Sequence, residues 1–347
     1  MVSVKNLYLT LSLVVVGLVA TGLVMTGPSV LISQALAQPQ PTGHALQSDL
    51  ATRTLLLDAA RSGDRLVAVG EHGHVVYSDD NGKTWTQASS VPTQVTLTSV
   101  TFPGGQTGYA AGHDTTILKT VDGGDTWTLL HNSPSSDAPV LTLYFEDENN
   151  GLAMGAFSLV LETKDGGRTW TERSLTGDPY DDLHLNGAFG ARDGSIYVAA
   201  EFGTVYKSSD GGATFQTIQT PYEGSFWGGM GLPDGGVLVH GMRGNAYRTD
   251  DNGRSWKHIP TGAPLSFASA TQLSNGTIVM TGLSGAVAYS EDGGHSFRTY
   301  IRPDRLGYSA VLEGADGNIV LFGEPGVVPE SASFPDGATG GRAAGAP

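Results

Sequence analysis

Three sets of side chains in this sequence could do chemistry. The first is histidine. His72 and His74 alternate across Gly73, and His113-Asp114 forms a similar polar pair further along. Imidazoles with a carboxylate can hold zinc, but at this ligand count the four residues read as solvated turns, and no metal is expected. The second set is carboxylate. Asp58, Glu146 and Glu313 fall near the ends of apolar segments. Two carboxylates across a cleft could hydrolyse a glycoside, yet no spacing pairs these three. The third set is Arg243, Arg302 and Arg305, which could bind an anionic group by bidentate hydrogen bonds. There is no cysteine, which excludes disulfides, thiolate metal sites, a cysteine nucleophile and a lipid-anchor cysteine. No catalytic residue and no cofactor are expected.

What positions these residues is a repeat. An eight-residue motif first reads Ser78-Asp79-Asp80-Asn81-Gly82-Lys83-Thr84-Trp85 and returns five times with the consensus [ST]-x-D-x-G-x-[TS]-[WF]. Its aspartates are Asp80, Asp122, Asp165, Asp210, Asp251 and Asp292. Its aromatic residues are Trp85, Trp127, Trp170, Phe215, Trp256 and Phe297. The aspartate spacings are 42, 43, 45, 41 and 41, a period that marks a propeller or solenoid. Asp-Gly-Gly and Asp-Asn-Gly favour tight hairpin turns because Gly and Asn tolerate positive φ. The aspartate can accept hydrogen bonds from backbone N–H groups of its own turn. The closing aromatic can pack between sheets. Six copies related by rotation sit apart, so these aspartates are structural.

Between motifs lie short apolar strands and turns, without helical periodicity. Four antiparallel strands per repeat make one blade. Six motifs give six blades. A further set of three strands, Tyr308 to Glu313, Asn318 to Gly323 and Gly326 to Val328, follows without a motif. The expectation is an all-β, seven-bladed propeller of four-stranded blades, with the N-terminal lead-in supplying the missing outer strand. A six-bladed ring with an irregular tail is the alternative.

The motif is the Asp-box, or BNR repeat, of sialidase-like propellers. The longer unit G-x-x-G-x-[IV]-x-x-[ST]-x-D-G-G-x-T-W resembles the photosystem II stability/assembly factor family and its bacterial relatives. It is carried by Gly70-Glu71-His72-Gly73-His74-Val75-Val76, by Gly241 to Tyr247 and by Gly282 to Ala288. That resemblance covers residues 53 to 328. It implies a non-enzymatic propeller beyond a membrane, helping assembly by binding a membrane protein or its extracytoplasmic segment. A sialidase-type extracytoplasmic glycosidase is the alternative. It would need an arginine triad on inner strands, where Arg168 and Arg254 instead lie inside the Asp-boxes.

Where a scaffold repeats, its variable loops carry function. In a four-stranded blade, the turns between second and third strands share a face with the inter-blade loops, opposite the Asp-boxes. The turns carry Glu71, His72, His113, Asp114, Glu201, Phe202 and Arg243. The loops add Tyr180, Tyr222, Trp227, Arg302, Arg305 and Tyr308. Trp, Tyr and Arg are the types that anchor interfaces. These thirteen residues are the expected partner-binding face.

Composition sets the outer bounds. Glycine is 49 of 347 residues, roughly twice the usual share, and charged residues are 15%, below the usual ~25%. A net charge of −15 without a basic run excludes a phosphate-tracking nucleic-acid binder. Residues 1–37 read as an export signal. Lys5 precedes the apolar stretch Leu7 to Val24, and Ala35-Leu36-Ala37 offers a cleavage site. The stretch could also just span a bilayer as a retained anchor. The remaining expectations are a lead-in over 38–52, the propeller over 53–328, a disordered Gly/Ala/Pro tail over 329–347, and a protein peripheral to a membrane in the periplasm or its equivalent.

Overall fold

The computed structural model describes residues 43–177 and 182–332, and the backbone of 339–340. Residues 1–37, expected to be an export signal, the start of the lead-in and Tyr180 lie outside the described residues. The chain forms seven small antiparallel sheets placed side by side in a ring, each built from consecutive strands except that Thr339–Gly340 joins the sixth. The innermost strands are Leu56–Ser62, Leu97–Gly104, Val140–Phe145, Leu185–Gly190, Phe226–Gly231, Phe267–Gln272 and Tyr308–Glu313. Each packs beside the next, and the last packs beside the first. The seven-bladed propeller is therefore the fold, and the six-bladed alternative is overturned by the seventh sheet.

The second strand of each blade has both faces covered by neighbouring blades. It reads as a continuous apolar run rather than an alternating one, as expected where neither face meets water. Ile196–Ala200, Val237–Gly241, Ile278–Gly282 and Ile319–Gly323 are buried at every position. Packing clusters form between blades. Val67, Val69 and Val75 of blade 1 meet Val100, Ala110, Leu118 and Trp127 of blade 2. Each large side chain so buried contributes roughly 1.5–3 kcal/mol, and no disulfide assists.

The Asp-box acts as its sequence implies. Asp122 Oδ1 accepts the Thr126 N–H at 3.0 Å and the Asp125 N–H at 3.1 Å, and Oδ2 accepts the Thr126 hydroxyl at 2.5 Å. Thr120 donates to Asp122 at 2.7 Å and accepts the Gly124 N–H at 3.0 Å. The indole of Trp127 donates to Gly124 O at 2.9 Å. The serine or threonine hydroxyls flanking the aspartate bond to it in all six copies. These bonds hold Asp80, Asp210 and Asp251 down to about 2.

Two departures concern ring closure. Blade 7 has three strands, Tyr308–Glu313, Ile319–Gly323 and Gly326–Glu330, so its last strand runs past residue 328. The described residues of the lead-in do not add a fourth. His44 and Ala45 bond to Gln94 and Val91, and Gln47 bonds to Ala88, all in the chain that follows the outermost strand of blade 1. The turn Ala51–Arg53 then lies against blade 7, where Gly326 meets Thr52 so closely that a Cβ would stand 2.1 Å from the Thr52 carbonyl. The ring closes by packing, with Trp85 edge-on to Phe322 at 5.5 Å and Ser309 donating to Leu56 O at 2.6 Å. In the tail, Thr339–Gly340 pairs with Arg298 and Thr299 at the outer edge of blade 6.

Candidate functional site

The turns between second and third strands follow from the G-x-x-G pattern. At the first glycine, neighbouring chain comes too close for any side chain: a Cβ on Gly70 would lie 2.0 Å from Leu55 O. The second glycine is left-handed and equally crowded. Gly244 has φ +75, and its Cβ would lie 1.8 Å from Ala263 O. Between them the chain makes one tight turn. Blades 2, 3 and 4 make the same turn with Thr115, Ser158 or Ala200 in place of one glycine, and the tip residue is left-handed in blades 1 to 6. These tips are His72, Asp114, Phe157, Phe202, Arg243 and Ser284, with φ between 53 and 57.

The same contacts fix which elements share the face. Glu71 N donates to Leu55 O and Met242 N to Ser225 O, so the turns meet the inter-blade loops. The Asp-box turns meet the turns between first and second strands, as Gly123 N donates to Gln106 O and Gly166 N to Asn149 O. The two sets occupy opposite ends of the blades.

On the loop face, Phe202, Tyr222 and Arg243 come together. With Glu223, Met242 and Asn245 they line a groove of about 580 Å³ between blades 4 and 5. Its floor is fixed. The Tyr222 hydroxyl and the Asn245 amide both donate to Met242 O at 3.0 Å, and the Tyr222 ring packs on Phe226 and Tyr247. One wall is pinned where Gln219 donates to Phe202 O at 2.6 Å. The rim is exposed, and Phe202 leaves 64% of its surface in water. The arrangement suits an apolar side chain held beside a polar or anionic group.

The other expected residues divide. Glu71 accepts the Leu55 N–H and Glu201 the His184 N–H, both as loop fasteners. His72, His113 and Arg305 are exposed on the face, and Asp114 is half-buried there. Arg302 and Tyr308 are not free to bind. Arg302 pairs with Asp304 at 2.9 Å and with Glu330, and the half-buried Tyr300 also bonds to Glu330. Tyr308 is buried and donates to Asp304 at 2.8 Å, and burial pushes its hydroxyl up to about 12. Trp227 is not in a loop. It lies in the innermost strand Phe226–Gly231 and lines the central channel. Phe157 and Leu283, exposed by 59% and 44%, belong to the face but were not among the thirteen. The available signal was the place of Leu283 between Gly282 and Gly285 and that of Phe157 two residues after Gly155. Of the three carboxylates, Asp58 lines the channel, Glu146 lines a separate small pocket near Gly211, and Glu313 accepts from Ser274.

A family profile described as "Photosynthesis system II assembly factor YCF48" matches residues 132–279, and one described as "BNR/Asp-box repeat" matches residues 76–87. The chain resembles the photosystem II assembly-factor propellers. A solved structure described as "YCF48 bound to D1 peptide" superposes with a TM-score of 0.66 at 17% identity, covering 84% of this chain and 99% of the other. YCF48 from Cyanidioschyzon merolae gives 0.63 at 14% identity, covering 83% and 97%. The WD40 propeller domain of Doa1 gives 0.64 at 16% identity, covering 85% and 97%. At these identities the structural likeness carries the fold alone. No curated protein sequence matches this chain.

Proposed function

We propose that this protein is an exported, non-enzymatic scaffold that holds an extracytoplasmic segment of a membrane protein against the loop face during assembly. The observation that carries the reading is the groove between blades 4 and 5, where Phe202, Tyr222 and Met242 flank Arg243. A shaped apolar cleft with one exposed guanidinium fits a peptide segment better than a reacting small molecule. Supporting it are the assembly-factor profile over residues 132–279 and the peptide-bound neighbour. Export is supported by Lys5, the apolar stretch Leu7 to Val24 and the Ala35-Leu36-Ala37 site.

The test is retention of a membrane protein from detergent-solubilised membranes on the immobilised propeller. The expected result is one specific partner, kept by Arg254→Ala on the opposite face and lost with Arg243→Ala or Phe202→Ser. Equal retention by all three variants sinks the groove assignment. Turnover of a fluorogenic glycoside panel, abolished by Asp58→Asn, overturns the non-enzymatic reading.

A further inference from the structure

The pairing between first and second strands slips by one residue at the same place in all seven blades. The slips leave Leu57, Thr98, Leu141, Asn186, Trp227, Ala268 and Ser309 as bulged residues. A bulge re-aims a side chain. The residue before each bulge, such as Leu56, Val140 or Phe226, packs into a cluster between blades, whereas Leu57, Leu141 and Trp227 belong to none of those clusters. All seven bulged residues line one central cavity of about 560 Å³, within the range of small-ligand sites.

This cavity is uneven. Blade 5 places Trp227 in it, half-buried and with no protein partner for the indole N–H among the described residues. Its own strand carries no side chain at Gly228 and Gly229, nor does the neighbouring inner strand at Gly187. His240 is buried against Gly228, whose Cβ would stand 3.3 Å from Nε2. Its Nδ1–H donates to Phe267 O at 3.1 Å, which leaves Nε2 as an acceptor toward the cavity. No arginine or lysine lines the cavity. Asp58, its one carboxylate, has its oxygens bonded to the N–H groups of Ala59 and Val100. The wall thus combines an open aromatic face, a free donor, a free acceptor and no available charge.

We infer that the central channel binds a neutral saccharide ring, stacked on Trp227 and hydrogen-bonded through the Trp227 indole and His240 Nε2. A sugar ring presents one apolar C–H face and a set of hydroxyls, which matches that wall; an ionic ligand finds no counter-charge. This site is separate from the groove at Phe202 and Arg243, and its fate does not depend on that reading.

The experiment is calorimetric titration of the full chain with methyl glucosides, galactosides and mannosides and with N-acetylglucosamine. The expected result is saturable one-to-one binding of one of these sugars, at least about tenfold weaker in Trp227→Ala, weakened to a smaller extent in Trp227→Phe, which keeps a ring but lacks the indole N–H, and unchanged in Phe202→Ser. Should Trp227→Ala fail to fold, Ala268→Phe fills the channel mouth instead and abolishes binding. No heat of binding from any sugar at millimolar concentration overturns the inference, as does binding that survives both channel variants.

Discussion

At the scale of the residue, the loop face holds strain where it has most exposure. Phe157 and Phe202 sit at φ 55 and 53, a region that bulky L-residues avoid, and both point most of their surface into water. Neither gains the burial that would justify an aromatic there. Strain of this kind collects at functional sites. Phe202→Asn keeps the turn with a residue that tolerates the left-handed region. Chemical denaturation should find it more stable by roughly 0.5–1 kcal/mol, while partner retention falls. A variant that is both less stable and fully retentive contradicts the assignment of Phe202 to binding.

At the scale of the element, the innermost strands are tied to one another by side chains bonding to the next blade's backbone. Asp58 accepts from Val100 N at 2.8 Å, Thr142 from Ala188 N at 2.9 Å, and Asn186 donates to Phe226 O at 2.8 Å. Asp58 is the titrating member. Desolvation pushes its carboxyl up to about 6, against the bonds from Val100, Ala59 and Ser99, which favour the charged form. With a folded value above the unfolded value of 3.8, the folded state binds the extra proton between the two. The contribution of Asp58 to stability therefore rises as pH falls from 7 toward 4, by at most about 3 kcal/mol, since the side chain lies deep in the molecule but partly open to the channel. The Asp-box carboxylates have the opposite sign. Their folded values lie below the unfolded one, so their contribution is present above pH 3.8 and is lost as pH falls toward 2. Burial holds the His240 imidazole down to about 4, which costs stability over the same range, equally in the parent and in Asp58→Asn. The urea midpoint of the parent relative to that of Asp58→Asn should therefore rise between pH 7 and 4, and a constant difference contradicts the raised Asp58 carboxyl.

At the scale of the molecule, the seventh blade decides whether the ring holds. Its outer strand Gly326–Glu330 lies on the Ala51–Arg53 turn and carries Glu330 to Arg302. Beyond Ala332, the described residues of the tail contribute only the two-residue pairing at Arg298 and Thr299. A chain ending at residue 332 should melt where the parent does. One ending at 325 should melt at least about 5 °C lower, because it exposes both ends of the ring. Equal melting of the two truncations contradicts closure by packing.

The seven blades and the Asp-box turns were legible in the sequence because their determinants are local. Within eight residues, Asp122 meets the groups it bonds, and Gly124 supplies the left-handed turn. The period then repeats that solution six times. The loop face was legible as a set of positions, since G-x-x-G marks the turns of blades 1, 5, 6 and 7 and the repeat period places the other three. Which of its residues are free was not. Arg302 and Tyr308 read as interface anchors; both bond to the nearby Asp304, and the distant Glu330 reaches Arg302 only when blade 7 folds against blade 6. Trp227 read as a loop residue because a bulge leaves no mark in the apolar pattern. It is the pairing of Phe226 with Gly241 and of Gly228 with His240 that turns its side chain to the channel. Local turn chemistry therefore belongs to the sequence. Strand register and the partners of charges belong to the closed ring, because they depend on chain as far apart as Leu56 and Ser309.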